Sequence, residues 1–469
     1  MRQLTATDAA FLNLECHRTP MHLTSLLIFD QSETPGGFVS FEQILQTVNE
    51  RASLLPTYRE RLLKVPLDLG YPWWYDDGEF DAEFHVRQLA LPKPGDWHQL
   101  CIQTARLASR PLDLTRPLWE MTVIEGLDHV EGIPAGSLAM VLKTHHSAID
   151  GASGMQLLAT LLDSEPQPDP IEPGAVIRDS RPSPGRLVQM ALASTIRQPA
   201  RLAKTVATGL PGVGNLVKRV GETGFDPSGL GQAPSTRFGA KVTPHRVFEG
   251  TTIELDDLRP VKGLVDGATV NDVILSIVGG TVRRYLDVHG ELPDKSLITA
   301  VPISVRSEGD TTPGNQLSAM VMPLHTDIAD PIERLAAVRQ SAVESKLMSE
   351  AVNATHLLDA ASQVPAGLAT LGMRLVTQLG LSQQGRRVFN TTVTNVPGSA
   401  KPSYMGGARL VGHFGMGPIQ DGAGLFHAVM GVERRLFLSV TACRETLPDP
   451  AFYRQCMDDS VAELAAPTG

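Results

Sequence analysis

The sequence predicts an α/β protein of two domains, on three observations. The chain has 469 residues, which is too long for one ordinary domain. Its hydrophobic content of 42% is enough for two cores. Short apolar strands alternate along it with segments of helical periodicity, as is typical of α/β folds. We expect an N-terminal domain over residues 1–165, a partly helical connector rich in Pro and Gly over 166–240, and a C-terminal domain over 241–469.

The N-terminal domain begins with a predicted helix over about residues 7–14 and a strand over 22–29. A helical segment follows at 43–55. The apolar stretch 121–124 predicts a strand that pairs with a second, buried strand over 137–142. Together these elements give an α/β domain that ends near residue 163.

The C-terminal domain begins near Arg246, where apolar residues alternate as in a strand. At Thr269 a helix is predicted to begin, because Thr is a favourable N-cap and Asp272, three residues later, stands where a capping-box partner would. Three further strands are predicted at 298–305, 317–324 and 388–394. The last strand leads into Pro397-Gly398, which predicts a type II turn.

A histidine pair followed at fixed spacing by Asp-Gly is the most informative motif of the chain. It consists of His145, His146, Asp150 and Gly151. The buried strand precedes the motif, and after it leucines recur at helical spacing, so the pair lies on a strand-to-helix turn. An imidazole with a pKa of about 6.5 accepts a proton from a hydroxyl near neutral pH and returns it to a leaving group.

The motif therefore predicts a catalytic role for His146, with His145 as a second participant. Asp150 has two interpretations that the sequence leaves open: it fixes the tautomer of the imidazole, or it holds the turn through a buried ion pair with an arginine. A metal site is disfavoured, because adjacent side chains at a strand end point to opposite faces and rarely bind one ion. We expect no metal.

Composition excludes several classes of function. No run of about 18 uncharged apolar residues occurs, and the first eight residues lack the features of a signal peptide, so a cytoplasmic protein is expected. The four cysteines have no C-x-x-C spacing, which argues against zinc and disulfides. A net charge of −10 disfavours nucleic acid as a partner.

Residues 180–221 form a basic segment with seven Lys or Arg and no Asp or Glu. Interleaved apolar residues make it a candidate for an amphipathic, membrane-seeking segment. Its Pro and Gly residues fit equally a connector with solvated charges. The sequence leaves both interpretations open.

Several short motifs, in order, resemble those of one family. They are Pro20-Met21-His22, Pro117-Leu118-Trp119, the segment from His145 to Gly151, Asn271-Asp272, the segment from Val301 to Arg306, and the segment from Asn395 to Gly398. With them the chain resembles, over nearly its whole length, the bacterial wax ester synthase/acyl-CoA:diacylglycerol acyltransferases. More distantly it is similar to the chloramphenicol acetyltransferase and condensation-domain superfamily.

The resemblance implies two chloramphenicol-acetyltransferase-like domains packed side by side, with a channel through their interface. It implies that His146 is the general base and that Gly151, Asn271 and Asp272 shape the active site. The substrates it implies are acyl-CoA and a fatty alcohol or diacylglycerol, which would yield a wax ester or a triacylglycerol. No cofactor and no acyl-enzyme are expected, and the enzyme would work in the cytoplasm, with peripheral contact to the inner membrane or lipid inclusions.

Two positions depart from the family pattern. Ser399 stands where relatives commonly have a second Pro, and His427 stands in a segment where a Leu-Asn pair is expected. We expect His427 to line the acceptor channel and alter acceptor preference. Two alternatives of other classes remain: a condensation-type acyltransferase that uses carrier-bound or unusual alcohol acceptors, and a non-catalytic protein of lipid surfaces.

Overall fold

The computed structural model contains two six-stranded sheets and a small three-stranded one. It describes residues 1–149, 151–169, 182–191, 193, 233–304, 317–352 and 387–465. The strands are β1 (Arg2–Gln3), β2 (His22–Asp30), β3 (Glu60–Leu63), β4 (Trp73–Asp76), β5 (Val86–Ala90), β6 (Trp119–Leu127), β7 (Ser137–His145), β8 (Arg246–Glu254), β9 (Ile298–Ser304), β10 (Leu317–Pro323), β11 (Thr391–Val396), β12 (Tyr404–Met405), β13 (Ala408–Met416), β14 (Leu425–Val432) and β15 (Arg435–Cys443).

The helices lie mainly between strands, as the alternating pattern predicts. They are α1 (Ala6–Leu14), α2 (Phe41–Arg51), α3 (Pro56–Arg59), α4 (Ala82–His85), α5 (Trp97–Ala108), α6 (Gly151–Leu161), α7 (Leu255–Lys262), α8 (Val270–Val288), α9 (Pro331–Val352) and α10 (Pro450–Ala465), with 3₁₀ turns at Pro35–Gly37, Pro66–Asp68 and Arg237–Gly239.

The N-terminal sheet has the strand order β12-β13-β2-β7-β6-β5. β6 pairs antiparallel with β7, which confirms the predicted pairing, and β2 pairs with β7 so that His22 lies opposite His145. Every side chain of β7 is buried. A strand buried on both faces holds its last residues rigidly, and the histidine pair stands at that end.

The C-terminal sheet has the order β10-β9-β11-β14-β15-β8, with β11 parallel to both of its neighbours. α8 packs on this sheet and buries most of its residues. The predicted helix start is confirmed. The Thr269 side chain accepts a hydrogen bond from the Asp272 backbone N–H, and the Asp272 carboxylate accepts one from the Thr269 backbone N–H at 2.8 Å.

One segment crosses between the two sheets. β12 and β13, which belong by sequence to the predicted domain 241–469, join the N-terminal sheet, where β13 pairs antiparallel with β2. β13 also packs on β14 of the C-terminal sheet. A Cβ added at Gly415 would stand 2.9 Å from the Cβ of Ala428, so only glycine permits this close approach. The two sheets are thus joined by chain connectivity and by packing.

The segment after β11 corrects one prediction. Gly398 does not have the positive φ that a type II turn requires, and Pro397-Gly398 continues without a turn. Glycine is needed there for another reason. A Cβ at Gly398 would lie 1.7 Å from the carbonyl oxygen of Gly431, so the backbones of two neighbouring segments touch.

The predicted connector over 166–240 lies largely outside the described residues, as does most of the basic segment 180–221. Across the described ranges, no helix combines the length and the apolar character needed to cross a membrane.

Candidate active site

His146 stands directly after the last residue of β7. Its backbone N–H donates to the Met21 carbonyl at 2.8 Å, which extends the β2–β7 pairing by one residue. Side chains alternate along a strand, so His146 faces the same side as Leu142 and Thr144, and His145 faces the other. The face of the sheet that carries His146 borders a cavity.

That cavity lies between the two sheets and has a volume of about 410 Å³. Helices α1 and α6 close it, and its wall is mostly apolar. The N-terminal sheet contributes Leu23, Ser25 and Leu142, and the C-terminal sheet contributes Thr392, Phe426 and Met430. A half-buried imidazole in such a wall can meet the polar end of an elongated apolar molecule.

Phe11 of α1 holds the ring of His146 in place. The two rings are stacked, with their centroids 4.0 Å apart and their planes 9° from parallel. Phe11 also lines the cavity. A stacked neighbour restricts rotation of the imidazole, and a general base needs such a fixed orientation.

His145 points away from the cavity and is completely buried. Its Nδ1 accepts a hydrogen bond from the Ser147 backbone N–H at 3.0 Å, and the Ser147 hydroxyl lies 2.7 Å from the same atom. This assigns the ring proton to Nε2. Nε2 faces the Glu15 carboxylate at 3.3 Å. The geometry therefore gives His145 a structural position behind the cavity wall.

Glu15 connects this buried histidine to the helix that carries Phe11. It is the C-cap residue of α1, and its side chain is only 10% exposed. Its second carboxylate oxygen lies 3.5 Å from the Met21 backbone N–H, beside the carbonyl that receives the His146 N–H. Glu15 thus ties the end of α1 to both strands that present His146.

The remaining motif residues are placed only in part. Gly151 begins α6, and Gly154 and Met155 of this helix line the cavity. Asp150 lies outside the described residues. Both interpretations of its role stay predictions.

Asn271 and Asp272 lie at the N-terminus of α8, and neither is part of the cavity wall described above. Asp272 is buried in the capping box, with the Arg339 guanidinium 3.7 Å from its carboxylate. The Asn271 side-chain oxygen accepts a hydrogen bond of 3.5 Å from Asn395 at the end of β11. Asn271 thereby links α8 to the strand whose alternate residues, Thr392 and Thr394, line the cavity.

His427 is placed in the core and not in the channel wall. Its ring is fully buried, with Nε2 2.8 Å from the Tyr453 hydroxyl and Nδ1 3.2 Å from the Thr391 hydroxyl. Burial lowers its pKa to about 3. Its neighbours Phe426 and Ala428 line the cavity instead. The period of two along β14 turns position 427 to the opposite face.

The sequence reasoning missed Phe11 and Glu15. Phe11 lies within the predicted first helix, yet nothing in the sequence pairs that helix with the histidine motif. The described residues contain no group of three or more His, Cys, Asp or Glu side chains arranged to hold a metal ion.

Comparison with known proteins agrees with this architecture. Residues 4–274 match the family model of the wax ester synthase/diacylglycerol acyltransferase catalytic domain, and residues 313–465 match that of its C-terminal domain. A protein of Mycobacterium tuberculosis (strain CDC 1551 / Oshkosh) named "Putative diacyglycerol O-acyltransferase" is 31% identical over 454 residues, which cover 96% of this chain and 87% of the relative.

Among solved structures, the wax ester synthase/diacylglycerol acyltransferase from Marinobacter aquaeolei VT8 superposes with a TM-score of 0.69 at 26% identity, covering 99% of this chain and 98% of that one. The first condensation domain of the CDA synthetase superposes with a TM-score of 0.55 at 16% identity and covers 100% of this chain and 97% of that one. The second likeness shows the fold alone.

Proposed function

Since this chain belongs to the wax ester synthase/diacylglycerol acyltransferase family, we propose that it moves a fatty acyl group from acyl-CoA to the hydroxyl of a fatty alcohol or a diacylglycerol, with His146 as the general base. The family makes the chain an O-acyltransferase. The observation that carries the role of His146 is the position of its ring, which lies in the wall of the apolar cavity between the two sheets.

The proposed reaction is a direct transfer. His146 takes the proton of the acceptor hydroxyl while the oxygen attacks the thioester carbon, and a tetrahedral oxyanion forms. When this intermediate collapses, CoA leaves as a thiolate and recovers the proton from the imidazolium. One ester bond forms and one thioester bond breaks. No cofactor is needed, because acyl-CoA itself is a substrate.

Two features support a route without an acyl-enzyme. The sequence has no G-x-S-x-G nucleophile elbow. Burial raises the pKa of the Cys101 thiol and raises that of Cys456 to about 11, which makes both poor nucleophiles at neutral pH. All four cysteines lie away from the cavity wall formed by the described residues.

An apolar wall discriminates weakly between chains of different length. One methylene changes the transition-state energy by only about 1–3 kcal/mol in such a pocket. We therefore expect turnover of a broad range of acyl chain lengths.

One experiment identifies the acyl acceptor and tests whether the acyl group is transferred directly. Purified protein is mixed with palmitoyl-CoA, first alone and then with hexadecanol or with dioleoylglycerol, while CoA thiol is followed and esters are identified by thin-layer chromatography. Direct transfer predicts that CoA release waits for an acceptor. Stoichiometric CoA release without acceptor, together with an acylated protein in the mass spectrum, would contradict the direct route.

We propose further that the enzyme works in the cytoplasm and contacts the inner membrane or lipid inclusions peripherally, because both of its proposed substrates are lipophilic. The basic segment 180–221 is the candidate contact. Flotation with anionic vesicles tests it. Binding should fall when Arg197, Arg201 and Lys204 are all changed to Glu, and unchanged binding would remove the segment from consideration.

A further inference from the structure

The mostly apolar wall of the cavity includes a serine and a histidine that contact each other. The pair consists of Ser25 of β2 and His413 of β13, and the His413 Nε2 lies 3.1 Å from the Ser25 hydroxyl oxygen. Both residues line the cavity, and His413 is 2% exposed. A buried imidazole in a mostly apolar wall is costly unless its nitrogen atoms find hydrogen-bond partners.

The pair keeps hydrogen-bonding capacity after its own contact is made. A neutral imidazole has one donor and one acceptor nitrogen, and a serine hydroxyl both donates and accepts. If Ser25 donates to Nε2, then the Nδ1–H and the serine lone pairs remain. If Nε2–H donates to Ser25, then Nδ1 accepts and the serine O–H remains. In either tautomer the pair offers one further donor and one further acceptor, which is the complement of a hydroxyl group.

The register of the sheet gives the separation, along β2, between Ser25 and the residue that is paired with His146. His146 is paired with Met21, and Ser25 lies four residues further along β2, opposite Leu142. At about 3.4 Å per residue this is about 14 Å. Leu23 and Thr144 line the cavity in between, so the cavity wall continues from one point to the other.

We propose that Ser25 and His413 form a subsite for an oxygen function, above all a hydroxyl, in the middle of a long aliphatic substrate chain. The inference rests on the proposed acyl transfer at His146. Three bonds of an extended chain span about 3.3–3.6 Å, so 14 Å corresponds to about eleven to twelve carbons from the reacting carbon. The preferred substrates are therefore mid-chain hydroxylated acyl groups or mid-chain hydroxylated alcohols.

A nucleophilic role for the same pair is disfavoured. A Ser–His pair within hydrogen-bonding distance is also the arrangement of an activated nucleophile and its base. Burial lowers the pKa of His413 to about 4, which makes it a weak base at neutral pH. The pair is thus better suited to binding a hydroxyl than to attacking a thioester.

The test compares chains that differ only in a hydroxyl. One arm supplies stearoyl-CoA or its 3-, 10-, 12- and 17-hydroxy derivatives, each with hexadecanol. The other arm supplies palmitoyl-CoA with 1-octadecanol or 1,12-octadecanediol. In the arm whose chain fills this part of the cavity, kcat/KM should favour the mid-chain hydroxyl over the plain chain by about 3- to 10-fold, as one net hydrogen bond allows. The 3- and 17-hydroxy chains should show no such preference.

Two variants connect the preference to the pair. In His413→Leu and in Ser25→Ala, the ratio of hydroxylated to plain turnover should fall to about one or below. The ratio is taken within each variant, so a general change in activity cancels. If a variant does not fold, the test relies on the wild-type enzyme, in which kcat/KM should depend on the position of the hydroxyl along the chain.

Three results would overturn the inference. Turnover of plain chains with no mid-chain preference in either arm would leave the proposed acyl transfer standing and remove the subsite. A preference that survives in folded His413→Leu would place the hydroxyl elsewhere. An acyl-protein that forms with plain stearoyl-CoA and disappears in Ser25→Ala would make Ser25 a nucleophile. Failure of wild-type enzyme with every substrate would refute the acyl transfer itself.

Discussion

Replacement of Glu15 by Ala tests how the position of His146 is maintained. The Glu15 side chain is 10% exposed, and its carboxylate lies 3.3 Å from the Nε2 of fully buried His145. Removing the carboxylate takes a negative charge away from this buried ring and deletes the hydrogen bond that the Met21 backbone N–H donates to Glu15 at 3.5 Å, which costs about 1 kcal/mol of folding free energy. It also releases the end of α1, which carries the Phe11 ring that stacks on His146 at 4.0 Å.

A displacement of about 1 Å at a reacting group costs about 100-fold in rate. For Glu15→Ala we therefore expect a 10- to 100-fold loss of kcat, with KM for acyl-CoA changed little, since the cavity wall itself is retained. Glu15→Gln keeps an oxygen that accepts from the Met21 backbone N–H and should recover most of the rate. This rescue separates positioning from a requirement for charge.

The assay is CoA-thiol release from palmitoyl-CoA in the presence of the preferred acceptor, with folding checked by circular dichroism and thermal melting. The matched control is Glu42→Ala, an exposed glutamate in the first turn of α2, which should behave as wild type. A folded Glu15→Ala enzyme with wild-type kcat would refute the idea that α1 holds the general base in place through Glu15.

Three further outcomes follow from the same structure. Gly417→Ala should shift the preferred acyl chain length in a series of acyl-CoA substrates, because the added Cβ would stand 2.2 Å from the ring of Phe426, which lines the cavity. An unchanged dependence of activity on chain length would contradict this. Asp163→Ala should lower the free energy of unfolding, measured in urea, by about 3–5 kcal/mol, because it leaves the buried Arg51 guanidinium without its ion-pair partner. A loss below about 1 kcal/mol would contradict this and would mean that solvent replaces the carboxylate. Burial lowers the pKa of His427 to about 3, so between this value and the unfolded value of about 6.5 only the unfolded chain takes up the proton. The free energy of unfolding should therefore fall by about 1.6 kcal/mol when the pH is lowered from 6.5 to about 5. His427→Gln should reduce that pH slope, and an equal slope would contradict the burial argument.

Local features of the fold could be predicted from the sequence. The capping box at Thr269 and Asp272 depends on residues three apart, and the strand-to-helix turn at His146 depends on one continuous stretch of chain. Such features need no knowledge of distant partners. The strands therefore appear close to their predicted positions.

Features that depend on distant partners could not be predicted. β13 pairs with β2 across almost 400 residues of sequence, and no local pattern encodes that choice. The stack of Phe11 on His146 is non-local in the same way. His427 shows a further limit, because alternation along β14 defines two faces and does not say which face meets the cavity. Gly398 shows that a glycine predicted for a turn can instead serve a close contact between backbones.

The central claim is that His146 is the general base of an acyl transfer, and one comparison tests it most directly. Ester formation from palmitoyl-CoA is measured for the wild-type enzyme, for His146→Ala and for the control His98→Ala, whose histidine is exposed on α5. The account predicts a loss of at least about 100-fold for folded His146→Ala and near wild-type activity for the control. Wild-type ester formation by folded His146→Ala would contradict it.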